Sequence, residues 1–315
     1  MAVTLADIHA AADRVRGVVH RTPVLTCATI DALAGRRVHF KCENLQKTGS
    51  FKYRGATNAV RHLADAVAAR GVVTHSSGNH AQALALAARV RGIPATVVMP
   101  RTAAAVKRAA VVGYGGAVVE CAPTLAERER VAAEAVARTG GTLIPPFDHP
   151  DVIAGQGTAC LELLEDVPHL AAVVAPVGGG GMLSGFAIAA KGTRAGVMVY
   201  GAEPAGADDA ARSFAAGVWQ PQTAPDTIAD GLLTSLGALT WPIIRDRVDG
   251  IVTVSEADIV AAMRLVWERM KLVIEPSAAV GVAAVLTAEF RALPGLADVG
   301  VVLCGGNVQL DRPYW

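Results

Sequence analysis

The stretch VVTHSSGNHAQALALAARVRGIPATVVMPRTAAAVKRAAVVGYGGAVVE, residues 72–120, decides the fold. Val72-Val73-Thr74 reads as a strand, and His80 to Arg91 as a helix ended by Gly92-Ile93-Pro94. Ala95 to Met99 is then a strand, Thr102 to Val112 a helix stopped by Gly113, and Ala117 to Glu120 another strand. Short apolar strands that alternate with helices predict a parallel sheet covered on both faces.

The same alternation extends outward. Thr124-Leu125-Ala126-Glu127 caps a helix to about Thr139, and Thr142 to Ile144 is a strand. Pro145-Pro146 marks the return to a second lobe, whose helix spans about Ile153 to Leu164. Strands follow at Ala172 to Ala175, Val197 to Ala202 and Ile251 to Val254, with a glycine- and proline-rich loop from Gly217 to Asp226. Ser255-Glu256-Ala257-Asp258 caps a helix to about Met270, and a helix after Pro276 leads to the strand Gly300 to Cys304. Upstream, Thr4-Leu5-Ala6-Asp7 opens a helix that runs to about Arg16 and stops at Gly17. A strand pattern ends near Cys42, and residues 52 to 63 are helical in pattern. The expectation is α/β throughout, in two lobes: residues 65–147 form the smaller, and residues 1–64 with 148–315 the larger.

Composition narrows the function. With 315 residues, 52% apolar and 18% charged, the chain can bury two cores, which argues against intrinsic disorder. A formal net charge of +1 without a basic run argues against nucleic acid or a membrane surface as partner. No apolar run approaches the roughly 20 residues of a membrane span, and the N-terminus lacks a signal-peptide pattern. Five scattered cysteines without a CxxC pair give no zinc site and suit reduced thiols in a cytoplasmic protein.

Five places could carry chemistry. Lys52 sits where a helix begins, after Gly49, with Ser50 placed to cap that helix. A helix dipole disfavours a cation there, so burial would lower the lysine's pKa and free its amine as nucleophile and base. Taken alone it reads equally as a surface lysine. Gly178-Gly179-Gly180-Gly181-Met182 lies between a buried strand and a helix, where backbone N–H groups make an anion cradle. It lacks the spacing of a dinucleotide fingerprint, and no GKS or GKT follows, so a phosphate is indicated rather than a nicotinamide or nucleoside triphosphate. Ser76-Ser77-Gly78-Asn79-His80 holds the same topological place in the smaller lobe and could take a substrate carboxylate, although it is also ordinary turn chemistry. Cys304-Gly305-Gly306-Asn307 ends the last strand, where open α/β sheets bind ligands. Cys304 also reads as a small buried hydrophobe. Finally, Glu203, Asp208 and Asp209 cluster after a strand, either as ligands for a hard cation or as a solvated acidic loop.

An activatable lysine, a phosphate cradle, a carboxylate loop and no redox motif suggest pyridoxal phosphate chemistry. The blocks KTGSFKYRGA at 47–56, SSGNHAQA at 76–83, VIAGQGT at 152–158, PVGGGGMLSG at 176–185, EPAGADDA at 203–210, TIADG at 227–231 and LCGGN at 303–307 carry a close resemblance. With WPIIRD at 241–246 and LVWERMKLVIEPSAAVGVAAVL at 265–286, it covers nearly the whole chain. The chain resembles the fold-type II pyridoxal phosphate enzymes, of the two-lobe tryptophan synthase beta type, and specifically the serine racemase and serine/threonine dehydratase family.

That resemblance implies roles. Lys52 would form the Schiff base with the cofactor aldehyde and, once freed, take the substrate's Cα proton. Gly178, Gly179, Gly180, Gly181 and Met182 would hold the phosphate, Asn79 the ring hydroxyl, and Phe51 would pack beside the ring. Cys304 would face the pyridine nitrogen as a weak neutral partner, which favours prompt loss of a β-hydroxyl. Ser76, Ser77 and His80 would hold the substrate carboxylate. Arg128 lies where racemase-like members use an arginine, though a solvated arginine in a charged helix reads as well. Glu203, Asp209 and the carbonyl of Ala207 resemble a site for Mg2+, or for Ca2+ or Mn2+.

The match also divides. Racemases carry a serine at Ser77 as acid/base on the face opposite the lysine, where biosynthetic dehydratases usually carry alanine. Cys304 instead replaces the serine of animal racemases, and Phe147 stands where those have asparagine. The chain ends eight residues after Asn307, which leaves no room for a C-terminal regulatory domain. The expected protein is a homodimeric dehydratase that converts L-serine, L-threonine or 3-hydroxyaspartate to a 2-oxo acid and ammonia, with serine racemisation as the alternative. A β-replacement enzyme such as a cysteine synthase is disfavoured by the His80 block, and a non-catalytic pyridoxal phosphate-binding protein by Lys52 with the cofactor contacts.

Overall fold

The computed structural model describes residues 3–76, 78–103, 105–311 and 314–315. Ten strands follow in chain order: β1 (Val24–Leu25), β2 (Arg37–Lys41), β3 (Val72–His75), β4 (Ala95–Pro100), β5 (Ala117–Cys121), β6 (Thr142–Leu143), β7 (Ala172–Pro176), β8 (Met198–Pro204), β9 (Gly250–Val254) and β10 (Asp298–Val302). They form a six-stranded sheet of order β1-β2-β10-β7-β8-β9 and a four-stranded sheet of order β5-β4-β3-β6. All pairings are parallel except that of β1 with β2.

Period-2 alternation covers the smaller sheet on both faces, as expected for a buried parallel sheet. Val97 and Met99 pack with Ala81, Ala85 and Val111. Val73 and Val98 face the other way, onto Val131, Ala132 and Ala135. The expected caps form: Thr4 and Ser255 make capping boxes with Asp7 and Asp258, and Thr124 accepts a bond from the Glu127 N–H. Gly92 and Gly140 close their helices in the left-handed conformation.

Several boundaries differ. The helix expected from Thr102 runs over Ala105–Gly113, and β10 ends at Val302, so Cys304 lies beyond the strand. Helices at Ala28–Ala34, Asp209–Ala216 and Thr240–Arg247 had no sequence expectation. They are short, and packing rather than periodicity holds them. Among the described residues, no helix is long and apolar enough to cross a membrane.

One helix, Lys52–His62, touches both the Pro150–Asp166 helix beside the larger sheet and the Asn79–Arg91 helix of the smaller one. Glycine allows the first contact. A Cβ on Gly155 would stand 2.6 Å from Gly55 Cα, and one on Gly55 would stand 2.4 Å from Gln156 Nε2. A buried charge network fixes the same helix. Arg54, fully buried, donates to both oxygens of Glu43 at 2.8 Å and to both oxygens of Glu162 at 2.7 and 2.8 Å. Lys41 Nζ adds 2.7 Å bonds to Glu162 and to the Thr22 carbonyl. Two cations thus answer two carboxylates, which is what makes their burial tolerable.

Candidate active site

The Lys52 helix starts beside the carboxyl ends of β2 and β10. The Phe51 N–H donates to the Cys304 carbonyl at 3.0 Å, and Ser50 bridges to Gly305. Ser50 does not cap the helix. Phe51 holds the cap position without a side-chain bond, and the Ser50 hydroxyl is buried without a partner among the described residues. The extended backbone of Ser50 is committed to the bridge with Gly305, which takes it out of capping geometry.

Lys52 keeps partial solvent contact, and its Nζ donates to the Pro146 carbonyl at 2.7 Å and lies 5.0 Å from the Phe51 ring centroid. Desolvation by the surrounding protein lowers its pKa from 10.5 to about 8, against the opposing pull of Cys304 and Glu275. The amine is therefore neutral far more often than that of a free lysine. Cys304 is buried, and burial pushes its thiol well above 9.0, so it stays protonated.

The glycine run is built as a cradle. Gly180 has φ +85 and opens the Gly181–Thr193 helix. A Cβ on Gly179 would meet the Phe147 ring at 2.4 Å, and Thr240 Oγ1 holds the Gly179 carbonyl at 2.8 Å. From Gly178 to Met182 every residue is buried, and among the described residues none of their N–H groups donates to another protein group. Consecutive buried, unpaired N–H groups at a helix start are rare unless an anion meets them. A phosphate fits that donor set.

In the smaller sheet, the loop after β3 leads into the Asn79–Arg91 helix, and Ser76 Oγ accepts the Gly78 N–H at 3.3 Å. Ser77 lies outside the described residues. His80 is buried, and its Nε2 meets the Ile144 carbonyl at 3.0 Å. Desolvation and then the charge of Lys52 lower its pKa from 6.5 to about 3. Its ring is thus a neutral, structurally engaged imidazole and not a cation for a carboxylate; what it can offer an anion is its backbone N–H. Arg128 lies in the first turns of the Leu125–Thr139 helix with a buried Nε that has no partner among the described residues, so it is not simply a solvated arginine.

Glu275 had no place among the expected site residues, and it organises much of the site. It is buried between Asn79, whose Nδ2 donates to it at 2.8 Å, and the Asn307 N–H at 3.2 Å. Asn307 Nδ2 in turn donates to Asn79 Oδ1 at 2.8 Å. Burial, then Asp230, raises the Glu275 pKa from 4.5 to about 8. Its signal was a lone carboxylate in the apolar run Leu272-Val273-Ile274-Glu275-Pro276.

Two of the three carboxylates of the acidic loop are shielded from solvent, whereas Asp208 is half-buried and pairs with Arg212 at 2.8 Å. Glu203 and Asp209 are buried. Glu203 accepts the Ala210 and Ala211 N–H groups at 3.1 and 2.8 Å, and Asp209 Oδ1 has no partner among the described residues. Desolvation first raises Glu203 to about 8 and Asp209 to about 6. Ala207 is buried between them in the chain, in a short 3-10 turn. Two carboxylates held against their charge, with a buried oxygen spare, could hold a hard cation.

A two-sheet α/β fold, a desolvated lysine at the strand ends and an unpaired N–H cradle define a cofactor enzyme, and the chain belongs to the pyridoxal-phosphate dependent enzymes, whose family model matches residues 15–305. Its fold is that of the fold-type II members. Within them it is a member of the serine racemase and serine/threonine dehydratase family. The chain is 52% identical to a serine racemase of Dictyostelium discoideum, over 98% of this chain and 96% of that one. It is 49% identical to a beta-hydroxyaspartate dehydratase of Paracoccus denitrificans, over 99% of this chain and 98% of the relative. A solved T.th. threonine deaminase superposes with TM-score 0.93 at 47% identity, covering 98% of this chain and all of that one.

Proposed function

We propose that the chain is a pyridoxal phosphate-dependent serine racemase that also eliminates the β-hydroxyl of part of its substrate. The observation that carries it is Lys52, a desolvated amine near neutrality bonded to Pro146, next in the chain to the Phe147 against which the glycine cradle packs. Similarity to serine racemases at about half identity supports racemisation over the dehydratase expected from sequence. Residues 65–147 act as the substrate lobe, and residues 1–64 with 148–315 as the cofactor lobe.

Bound pyridoxal phosphate supplies the electron withdrawal that acidifies the substrate's Cα–H. Lys52 anchors the cofactor, and its neutral amine is the base on one face of Cα. Gly178, Gly179, Gly180, Gly181 and Met182 grip the phosphate with their N–H groups. Asn79, held by Glu275 and Asn307, would meet the ring hydroxyl, Phe51 would flank the ring, and the neutral Cys304 thiol would face the ring nitrogen. The substrate carboxylate rests on Ser76, the N–H groups at the start of the Asn79–Arg91 helix, and Arg128. Ser77 is the acid/base on the second face. Glu203, Asp209 and the Ala207 carbonyl hold Mg2+ or a similar divalent ion; the raised pKa values and the spare Asp209 oxygen support this. Five free cysteines support a reducing, cytoplasmic setting, and a homodimer completes the proposal.

A second reading keeps a dehydratase of β-hydroxy amino acids, 3-hydroxyaspartate included. Cys304, Phe147 and the 49% identity to the Paracoccus enzyme favour it. The holoenzyme offered L-serine, L-threonine and 3-hydroxyaspartate separates the two: D-serine in the product supports racemisation, and 2-oxo acid with no inverted amino acid supports the dehydratase. A Ser77→Ala variant that loses inversion but keeps elimination supports Ser77 as the second base.

A further inference from the structure

At the other end of the larger sheet from Lys52, three side chains converge that the proposed reaction does not use. Asp298 begins β10 and pairs in register with Arg37 of β2. His39 lies two residues along β2, on the same face, and His169 stands in the turn before β7. His39 Nε2 is 2.9 Å and His169 Nε2 3.3 Å from Asp298 Oδ1. Arg37 donates to both carboxylate oxygens, to Oδ1 at 2.6 Å and to Oδ2 at 2.7 Å. Three nitrogens therefore crowd one oxygen, whose lone pairs accept about two hydrogen bonds. The two imidazoles approach edge to face, with centroids 5.9 Å apart.

We propose that His39, His169 and Asp298 form a binding site for a borderline divalent ion of the zinc class. The ligand atoms of the three residues lie within 4.8 Å of one another. Tetrahedral zinc with bonds of about 2.0–2.1 Å needs ligand atoms about 3.3 Å apart, close to the separations already present. On binding, each histidine nitrogen turns its lone pair to the ion in place of a hydrogen to Asp298. Asp298 is nearly buried, and its Oδ1 is the atom on which both histidine nitrogens already converge. Arg37 opposes the ion as a like charge on a shared oxygen; its side chain is 65% exposed, with solvent open to it when the ion takes its place. Imidazole ligands select zinc-class ions over Mg2+, so this site is chemically distinct from the oxygen-only cluster at Glu203.

Chelator-stripped holoenzyme, kept in excess Mg2+, is titrated with ZnCl2 by calorimetry. One Zn2+ per chain is expected, unaffected by Mg2+. His39→Ala and His169→Ala should each weaken it at least about tenfold, and Arg37→Ala should strengthen it about threefold or more. His169 is 60% exposed, so its variant tests the site without threatening the fold. Absence of binding by the wild type, or binding undiminished in both histidine variants, overturns the proposal. Unchanged affinity in Arg37→Ala contradicts the shared oxygen, and Co2+ spectra without imidazole ligation contradict the ligand set.

Discussion

Lys52 and Glu275 are opposite cases of the same physics, since burial drives each toward its neutral form. For Lys52 the consequence is kinetic. Capture of pyridoxal phosphate by the apo chain needs the neutral amine, so its rate should rise with pH and inflect near 8, rather than near the 10.5 of a free lysine. Stopped-flow absorbance across pH 6 to 10 checks this, and an inflection above about 10 would remove the desolvation account. For Glu275 the consequence is stability. Its folded pKa is raised from 4.5 to about 8, so between those values the unfolded chain has lost a proton that the folded chain retains. Stability from this group is therefore complete below about 4.5 and declines as pH rises through 8. Urea unfolding of the apo chain at pH 5 and pH 8 should show a fall that Glu275→Gln lacks, by about 2 to 4 kcal/mol. Lys52 was legible in the sequence because lysine is unusual in a helix's first turn. Glu275 was not, because a buried carboxylate is stabilised by partners, Asn79 and Asn307, that lie far away in the chain.

The element that governs the site is the Lys52–His62 helix, held by glycine contact on one side and by the Arg54 network beneath. Removing Arg54 would leave the buried Glu43 and the half-buried Glu162 without their shared partner. Arg54→Ala should cost about 3 to 5 kcal/mol, read from denaturant midpoints, with a slope that shows whether unfolding stays cooperative. The periodicity of residues 72–120 gave the smaller sheet correctly, down to its two covered faces. Its failures have physical causes. Ser50 is a good capping residue by type, but the bridge to Gly305 claims its backbone. The Thr240–Arg247 helix carries no strong pattern, and its start is fixed by Asp148, which accepts the Leu239 and Thr240 N–H groups at 2.9 and 3.2 Å. No local signal reports a capping carboxylate some ninety residues away.

At the scale of the whole molecule, the Lys52 region touches chain from beyond both sheets, Pro146 after β6 and Cys304 after β10, while charge is managed at separate stations around the larger sheet. The Glu203 and Asp209 carboxylates should bind a divalent cation more tightly as pH rises from about 6 to 8, because protons compete for both. Ca2+ or Mg2+ should then raise Tm by a few degrees at pH 8 and by less at pH 6. Asp209→Asn should abolish the difference, as scanning calorimetry would show. The family was legible because its loops at 76–80, 178–182 and 303–307 are short and contiguous. The choice of reaction was not, because it turns on how protons reach both faces of one carbon. Incubation of the holoenzyme with L-serine in D2O addresses that choice most directly. The account predicts D-serine carrying one deuterium at Cα, alongside pyruvate, and neither product from Lys52→Ala. Pyruvate without any D-serine, or exchange that persists in Lys52→Ala, would contradict it.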